Sequence, residues 1–185
     1  MRELVFLLEE RSAQTMIEGF LPKITGSDAI VRYIIFEGKQ DLAKQLTRKL
    51  RSYNNPNANF IILYDQDSAD CRDVKSMLKQ KCVEADKPQT VVRMACRELE
   101  SWYLADLMAV EKAFSKTSLS AQQNKRKFRN PDLLASPSNE LKRLVPEYQK
   151  INGSRMIAPY LNLNNIRSRS FHHFIRSITN IISCS

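Results

Sequence analysis

The 185-residue sequence is 43% hydrophobic and 26% charged, with four glycines and seven prolines, which suits one compact globular domain and excludes a low-complexity or disordered chain. No apolar stretch approaches the ~18 residues that span a bilayer, and the start, MRELVFLLEERS, is apolar for five residues before two glutamates, too short for a signal-peptide core, so the expectation is a cytoplasmic protein without membrane contact. The net charge of +9 is uneven: residues 1–119 carry 18 Lys+Arg against 17 Asp+Glu, whereas residues 120–185 carry 11 against 3, the footprint expected of a chain that meets a polyanion such as DNA or RNA, or else of a solvated basic face or a surface that meets an acidic protein.

In chain order, the first apolar run, residues 4–8, reads as a strand and ends in Glu9-Glu10. Met16, Ile17, Phe20, Leu21 and Ile24 then follow at helical spacing. Residues 30–36 form a second apolar run, interrupted by Arg32, and Leu42, Leu46 and Leu50 a second helical stripe. The third run, residues 60–64, leads directly into Asp65-Gln66-Asp67. Val74, Met77, Leu78, Cys82 and Ala85 supply the next helix, and residues 91–95 the fourth strand. Most of the runs are continuous rather than alternating, as in strands covered on both faces, and their alternation with helices predicts a mostly parallel sheet.

Beyond residue 97 only helices and loops are predicted. Residues 99–114 read as one helix, residues 115–137 as a polar loop or lid carrying KRKFR, and residues 137–149 as a helix capped by Ser138 or Asn139. Gly153 is read as a break before a short helix at residues 156–161. The last element carries Phe171, Phe174, Ile175, Ile178, Ile181 and Ile182 on one stripe, for packing on the sheet or for a partner helix. The expected division is an α/β core over residues 1–115 and a basic helical extension over residues 116–185, packed on that core.

Ligands of open parallel sheets bind beyond the carboxyl ends of the strands, and three of the four strands here finish in acids. Asp65 and Asp67 could both reach a metal, and oxygen-only ligation suits Mg²⁺ or Mn²⁺. The alternative is that Asp67 or Ser68 merely caps the next helix, whose first turn holds Asp70 and Asp73. Tyr148 and Lys150 could face a scissile phosphate, or Lys150 could be an ordinary surface lysine. Lys125, Arg126, Lys127 and Arg129 surround Phe128, a mixture suited to single strands or to a solvated loop. Arg167, Arg169 and Arg176 flank the last helix and could contact phosphates. Trp102 reads as a core anchor, and His172 and His173 receive no catalytic role. The cysteines, Cys71, Cys82, Cys96 and Cys184, have no CxxC pairing and read as free buried thiols, not as a zinc or redox site. Neither GxxxxGK[ST] nor GxGxxG occurs, so ATP binding by this chain is not expected.

The acid after the first strand and the DxD after a later one resemble the Toprim domain shared by topoisomerases, DnaG-type primases and overcoming-lysogenization-defect (OLD) nucleases. More closely, LVFLLEERS, IILYDQDSAD, RELESWYLAD and the stretch from PSNELKRLVPEYQK to RMIAPYLNLNNIRSRSFHHFIRSI resemble a family of small bacterial Toprim-like proteins of unknown function, often encoded beside an ATPase in anti-phage defence loci. That resemblance implies an α/β, Toprim-like (Rossmannoid), mostly parallel four-stranded sheet. It implies Glu9 as the first-strand acid, Asp65 and Asp67 as the DxD, and Glu100 as the acid before an aromatic, together metal-binding and catalytic. Lys125, Arg126, Lys127, Arg129, Lys150, Arg167 and Arg169 are then the expected nucleic-acid contacts. The sequence departs from the family where Gly commonly follows the first acid, which is Glu10 here, and where a further acid falls at Ala13; Glu10 or Glu98 could substitute. The function expected is a Mg²⁺- or Mn²⁺-dependent nuclease acting with a separate ATPase subunit. The alternatives are a non-catalytic module that docks on such an ATPase and phosphoryl transfer to a small nucleotide, which leaves the basic third unexplained.

Overall fold

A computed structural model describes residues 2–26, 29–67 and 69–183; the proposed Ser68 cap and Cys184 lie outside the described residues. Four strands, β1 (Arg2–Leu8), β2 (Ala29–Ile35), β3 (Asn59–Asp65) and β4 (Val91–Ala95), form one parallel sheet in the order β2-β1-β3-β4. The uninterrupted runs take the centre: Leu4 to Leu8 are fully buried, as are Ile61 and Ile62. Arg32 interrupts the run that lies at the edge, where β2 alternates between more and less covered positions. Burial of each large apolar side chain contributes about 1.5–3 kcal/mol, so the order places the costliest chain segments to expose where water reaches least.

Helices α1 (Arg11–Phe20), α2 (Pro22–Thr25), α3 (Lys39–Arg51) and α4 (Cys71–Glu84) connect the strands. One face of the sheet, through Val5, Leu7, Phe60, Ile62 and Tyr64, meets Leu42, Leu46 and Leu50 of α3 and Leu78 and Cys82 of α4. The other face, through Leu4, Phe6, Leu8, Ile61 and Leu63, meets α1 and most of the chain beyond β4. Leu119, Phe128, Leu141, Tyr148, Ile157, Phe171, Phe174 and Ile178 all join that second cluster. The basic third therefore completes the core on one face of the sheet.

Several expectations for residues 97–183 change. The helix expected over residues 99–114 is two helices, α5 (Glu100–Leu104) and α6 (Leu107–Ala113). Asp106 interrupts it by accepting a hydrogen bond from the Ala109 N–H at 3.2 Å, and its other oxygen accepts from the Asn162 N–H at 2.8 Å. The expected lid is packed: it contains three 3₁₀ turns, and the buried Gln123 donates to the carbonyls of Leu104 (3.0 Å) and Phe128 (3.1 Å). Helix α7 (Pro137–Leu144) has Ser136 at its N-cap position, and neither Ser138 nor Asn139 caps it; Ser138 instead donates from N and Oγ to Glu98, at 2.7 and 3.0 Å. Gly153 lies inside α8 (Lys150–Ile157) instead of breaking the chain. Helix α9 (Arg169–Ser183) buries Phe171, Phe174, Ile175 and Ile178, so this stripe belongs to the core rather than to a partner helix. Cys71 is exposed, unlike the buried Cys82. Among the described residues no helix is long and apolar enough to cross a membrane.

Candidate active site

Glu9 follows β1, Asp65 ends β3, and α5 opens on Glu100, so the carboxyl ends of two central strands and the segment beyond β4 share one place. The side chain of Glu9 accepts from the Asp65 backbone N–H at 3.2 Å, and the Leu99 N–H donates to Asp65 Oδ2 at 3.3 Å. Burial, followed by repulsion from Glu9, Glu100 and Glu10, pushes the Asp65 carboxyl well above its ordinary pKa. Glu9 is raised by burial and by Glu10 and Asp67, against the opposing charge of Lys39. Glu100 is 2% exposed and is raised chiefly by burial. Its Oε1 accepts from the Tyr148 hydroxyl at 3.0 Å, while its buried Oε2 has no hydrogen-bond partner.

Asp67 is placed differently. The chain turns out of β3 with Asp67 at φ 52° and out of β4 with Arg97 at φ 62°, both in the left-handed region. The two turns clasp each other: Asp67 N–H donates to the Arg97 carbonyl at 2.7 Å, and the Arg97 guanidinium donates to the Asp67 carbonyl at 3.2 Å. Left-handed non-glycine residues cost of order 1–3 kcal/mol each, although Asp tolerates the region better than most. The Asp67 carboxylate is paired with Lys39, at the start of α3, and is 54% exposed. It does not cap α4; Asp70 does, accepting from the Arg72 N–H at 2.7 Å. Glu98, considered as a substitute ligand, is engaged by Ser138. Among the described residues no three His, Cys, Asp or Glu side chains are arranged to hold a metal ion as they stand. Glu9, Asp65 and Glu100 thus share one field of charge without forming a closed cage.

Two residues of α5 fix Glu100. The Trp102 ring is fully buried, its Nε1 donates to Ser170 Oγ of α9 at 2.7 Å, and its centroid lies 5.2 Å from those of both Phe171 and Phe174. The Tyr103 hydroxyl donates to Ser154 Oγ of α8 at 2.7 Å. Tyr148, 3% exposed, reaches Glu100 because Gly153 leaves room: a Cβ there would lie 2.2 Å from Tyr148 Cε2. Lys150 Nζ stands 3.5 Å from Glu10 Oε1. Burial works against its charge, but Glu100, Glu10 and Asp65 raise its pKa above the ordinary value.

Of the expected nucleic-acid contacts, Lys150 is placed at the carboxylates. Lys125, Arg126, Lys127 and Arg129 are exposed, but Phe128 between them is 3% exposed, so the expected stacking ring belongs to the core. Lys127 pairs with Glu140, and Arg129 donates to the Asn124 carbonyl at 2.9 Å. Arg167 and Arg169 are exposed at the start of α9. Sequence reasoning missed Lys39; its signal is a lysine just beyond the carboxyl end of β2, directly after Gly38 at φ 93°.

A family described as Domain of unknown function (DUF4276) matches residues 8–179. No curated protein matches the sequence. Among solved structures, the chain is similar to the C-terminal region of the Burkholderia pseudomallei OLD protein, with a TM-score of 0.55 and 16% identity over 97% of this chain and 98% of that one. At that identity the likeness carries the fold alone, and as a fold the OLD-type resemblance holds.

Proposed function

We propose that this chain, which belongs to the DUF4276 family, is a Mg²⁺- or Mn²⁺-dependent nuclease that hydrolyses phosphodiester bonds of DNA or RNA. The observation that carries this reading is the gathering of Glu9, Asp65 and Glu100 in one field of raised pKa values, with the Lys150 ammonium beside them. Carboxylates that repel one another are stabilised by a cation, and the partnerless, buried Oε2 of Glu100 is an acceptor that a cation would satisfy. The donors are carboxylate oxygens, which suit hard divalent ions. Glu9, Asp65 and Glu100 would hold the ion, joined by Asp67 once it parts from Lys39. When bound, such an ion supplies charge neutralisation at a phosphate. Lys150 binds a phosphate oxygen and stabilises the negative charge that develops there, and Tyr148 keeps Glu100 oriented through its phenol. An ATPase on a separate subunit and an effector role in an anti-phage system, both implied by the family resemblance, complete the proposal.

The test is a cleavage assay on single-stranded DNA, duplex DNA and RNA with Mg²⁺ or Mn²⁺, with and without the product of a neighbouring ATPase gene. Cleavage should be lost in Asp65→Ala; undiminished cleavage by that variant removes the assignment. A non-catalytic module docking on a partner ATPase is the second reading. The Asp67–Lys39 pair and the lack of a ready three-ligand arrangement among the described residues favour it. Calorimetry that detects no Mg²⁺ or Mn²⁺ binding at millimolar concentration would decide for it.

A further inference from the structure

A groove of about 580 Å³ runs along β4, an edge strand of the sheet, between α4 and α9. Its walls are cationic: Arg72 and Lys75 come from α4, Arg93 from β4 and Arg169 from α9, with the imidazole of His173 one turn beyond Arg169. Their spacings place each set on one helix face, three apart on α4 and four apart on α9, where Arg176 extends the row by another three. Arg93 ties α9 to the strand, its Nε donating to Ser177 Oγ at 2.6 Å and to the His173 carbonyl at 3.2 Å. Burial lowers the pKa of His173, and the charges of Arg93, Arg169 and Arg176 lower it further.

Of the nearby acids, Asp73 is exposed on α4 but does not line the groove, and two others are engaged with other groups. Asp70 accepts from the Arg72 backbone N–H at 2.7 Å, and Asp132 accepts from Ser168 Oγ at 2.6 Å and from the Ser170 N–H at 3.0 Å. Among the described residues, Arg72, Lys75 and Arg169 form no ion pair with a carboxylate, although all three are exposed along one groove. Val92 and Met94 also line the groove, giving it an apolar component between the cations.

We propose that this groove binds one nucleic-acid strand, with its phosphates on Arg72, Lys75 and Arg169 and its bases against Met94. Cationic walls neutralise the backbone, and an apolar surface between them is of use only to bases that are not already stacked in a duplex. Helix α4 begins at Cys71, four residues after Asp67, so the groove opens near the carboxyl ends of the strands. The strand path deepens the nuclease reading and rests on it for its consequence in cleavage, while the binding itself can be measured without cleavage.

The experiment measures fluorescence anisotropy of labelled oligothymidylate, and of a duplex of the same length, in EDTA over a range of salt. The Arg72→Glu/Lys75→Glu/Arg169→Glu variant should bind the single strand an order of magnitude or more weaker. Its log-affinity against log-salt slope should flatten by about 2, from three phosphate contacts at ~0.7 each. Lys142→Glu/Arg143→Glu/Arg155→Glu, which makes the same change in net charge on other exposed positions, should lose far less. A milder Arg72→Gln/Lys75→Gln variant should show the same direction with native thermal stability. Unchanged binding by the groove variants, equal loss in the control variant, or duplex binding as tight as single-strand binding overturns the proposal. Strand binding through the groove without cleavage under any metal condition would sink the nuclease reading alone, and cleavage with no loss in the groove variants would sink the groove alone.

Discussion

Gly153→Ala should destabilise the protein although it replaces glycine by the best helix former inside a helix. At an exposed helical position this change stabilises by about 1 kcal/mol. Here the new Cβ would meet Tyr148 Cε2 at 2.2 Å and Cδ2 at 2.4 Å, so the ring must leave its seat. Overpacking of this kind costs about 1–3 kcal/mol. The displaced ring also takes its hydroxyl from Glu100 Oε1, now at 3.0 Å, and Glu100 has no partner for its other oxygen. Loss of a hydrogen bond to a charged, buried group costs about 1.5–3 kcal/mol. The net expectation is a loss of roughly 2–4 kcal/mol after the gain in helix propensity. Urea denaturation followed by circular dichroism measures it. Repeating Gly153→Ala in a Tyr148→Leu background separates the causes, because the clash is with the ring and the substitution should then cost little, a coupling read from the double-mutant cycle. A Gly153→Ala variant as stable as the parent, or equal losses in both backgrounds, would refute the seating of Tyr148 by Gly153.

The carboxylates give a pH dependence whose sign is opposite to that of a salt-bridged acid. The folded-state pKa values of Glu9, Asp65 and Glu100 lie above their ordinary values of 4.5, 3.8 and 4.5, so the native state binds more protons than the unfolded chain across that interval. Their contribution to stability is therefore greatest in acid and falls as pH rises through the folded pKa values; in EDTA, Asp65→Asn should raise the melting temperature at neutral pH and reduce this slope. Millimolar Mg²⁺ or Mn²⁺ should stabilise the parent protein at neutral pH, by about 2.7 kcal/mol at a hundredfold excess over Kd, and should not stabilise a Glu9→Gln/Asp65→Asn variant in differential scanning fluorimetry. Ser170→Ala should leave the Trp102 N–H without an acceptor and cost about 1–3 kcal/mol. Because Trp102 is the single tryptophan, its fluorescence reports that transition directly, and an unchanged midpoint would mean that the α5–α9 anchor does not matter.

The sequence by itself determined the sheet and the location of its acids. Apolar runs such as residues 4–8 and 60–64 can be hidden only as covered strands, and strand–helix alternation admits little besides a parallel arrangement whose carboxyl ends gather Glu9, Asp65 and Glu100. Local rules reach their limit where a residue serves a distant partner. Gly153 reads locally as a break, yet it lies in a helix as the gap for Tyr148. Asp106 reads as one more helical residue, yet its carboxylate caps α6 and holds Asn162. Phe128 reads as a stacking ring among cations, and only packing places it in the core. Asp65 and Asp67 are one residue apart and read as a pair, but the left-handed turn at Asp67 sends its carboxylate to Lys39 while Asp65 stays with Glu9 and Leu99. Periodicity and composition depend on neighbours in the chain; the partners of a buried side chain depend on where the rest of the chain returns, and that is decided only when the core closes.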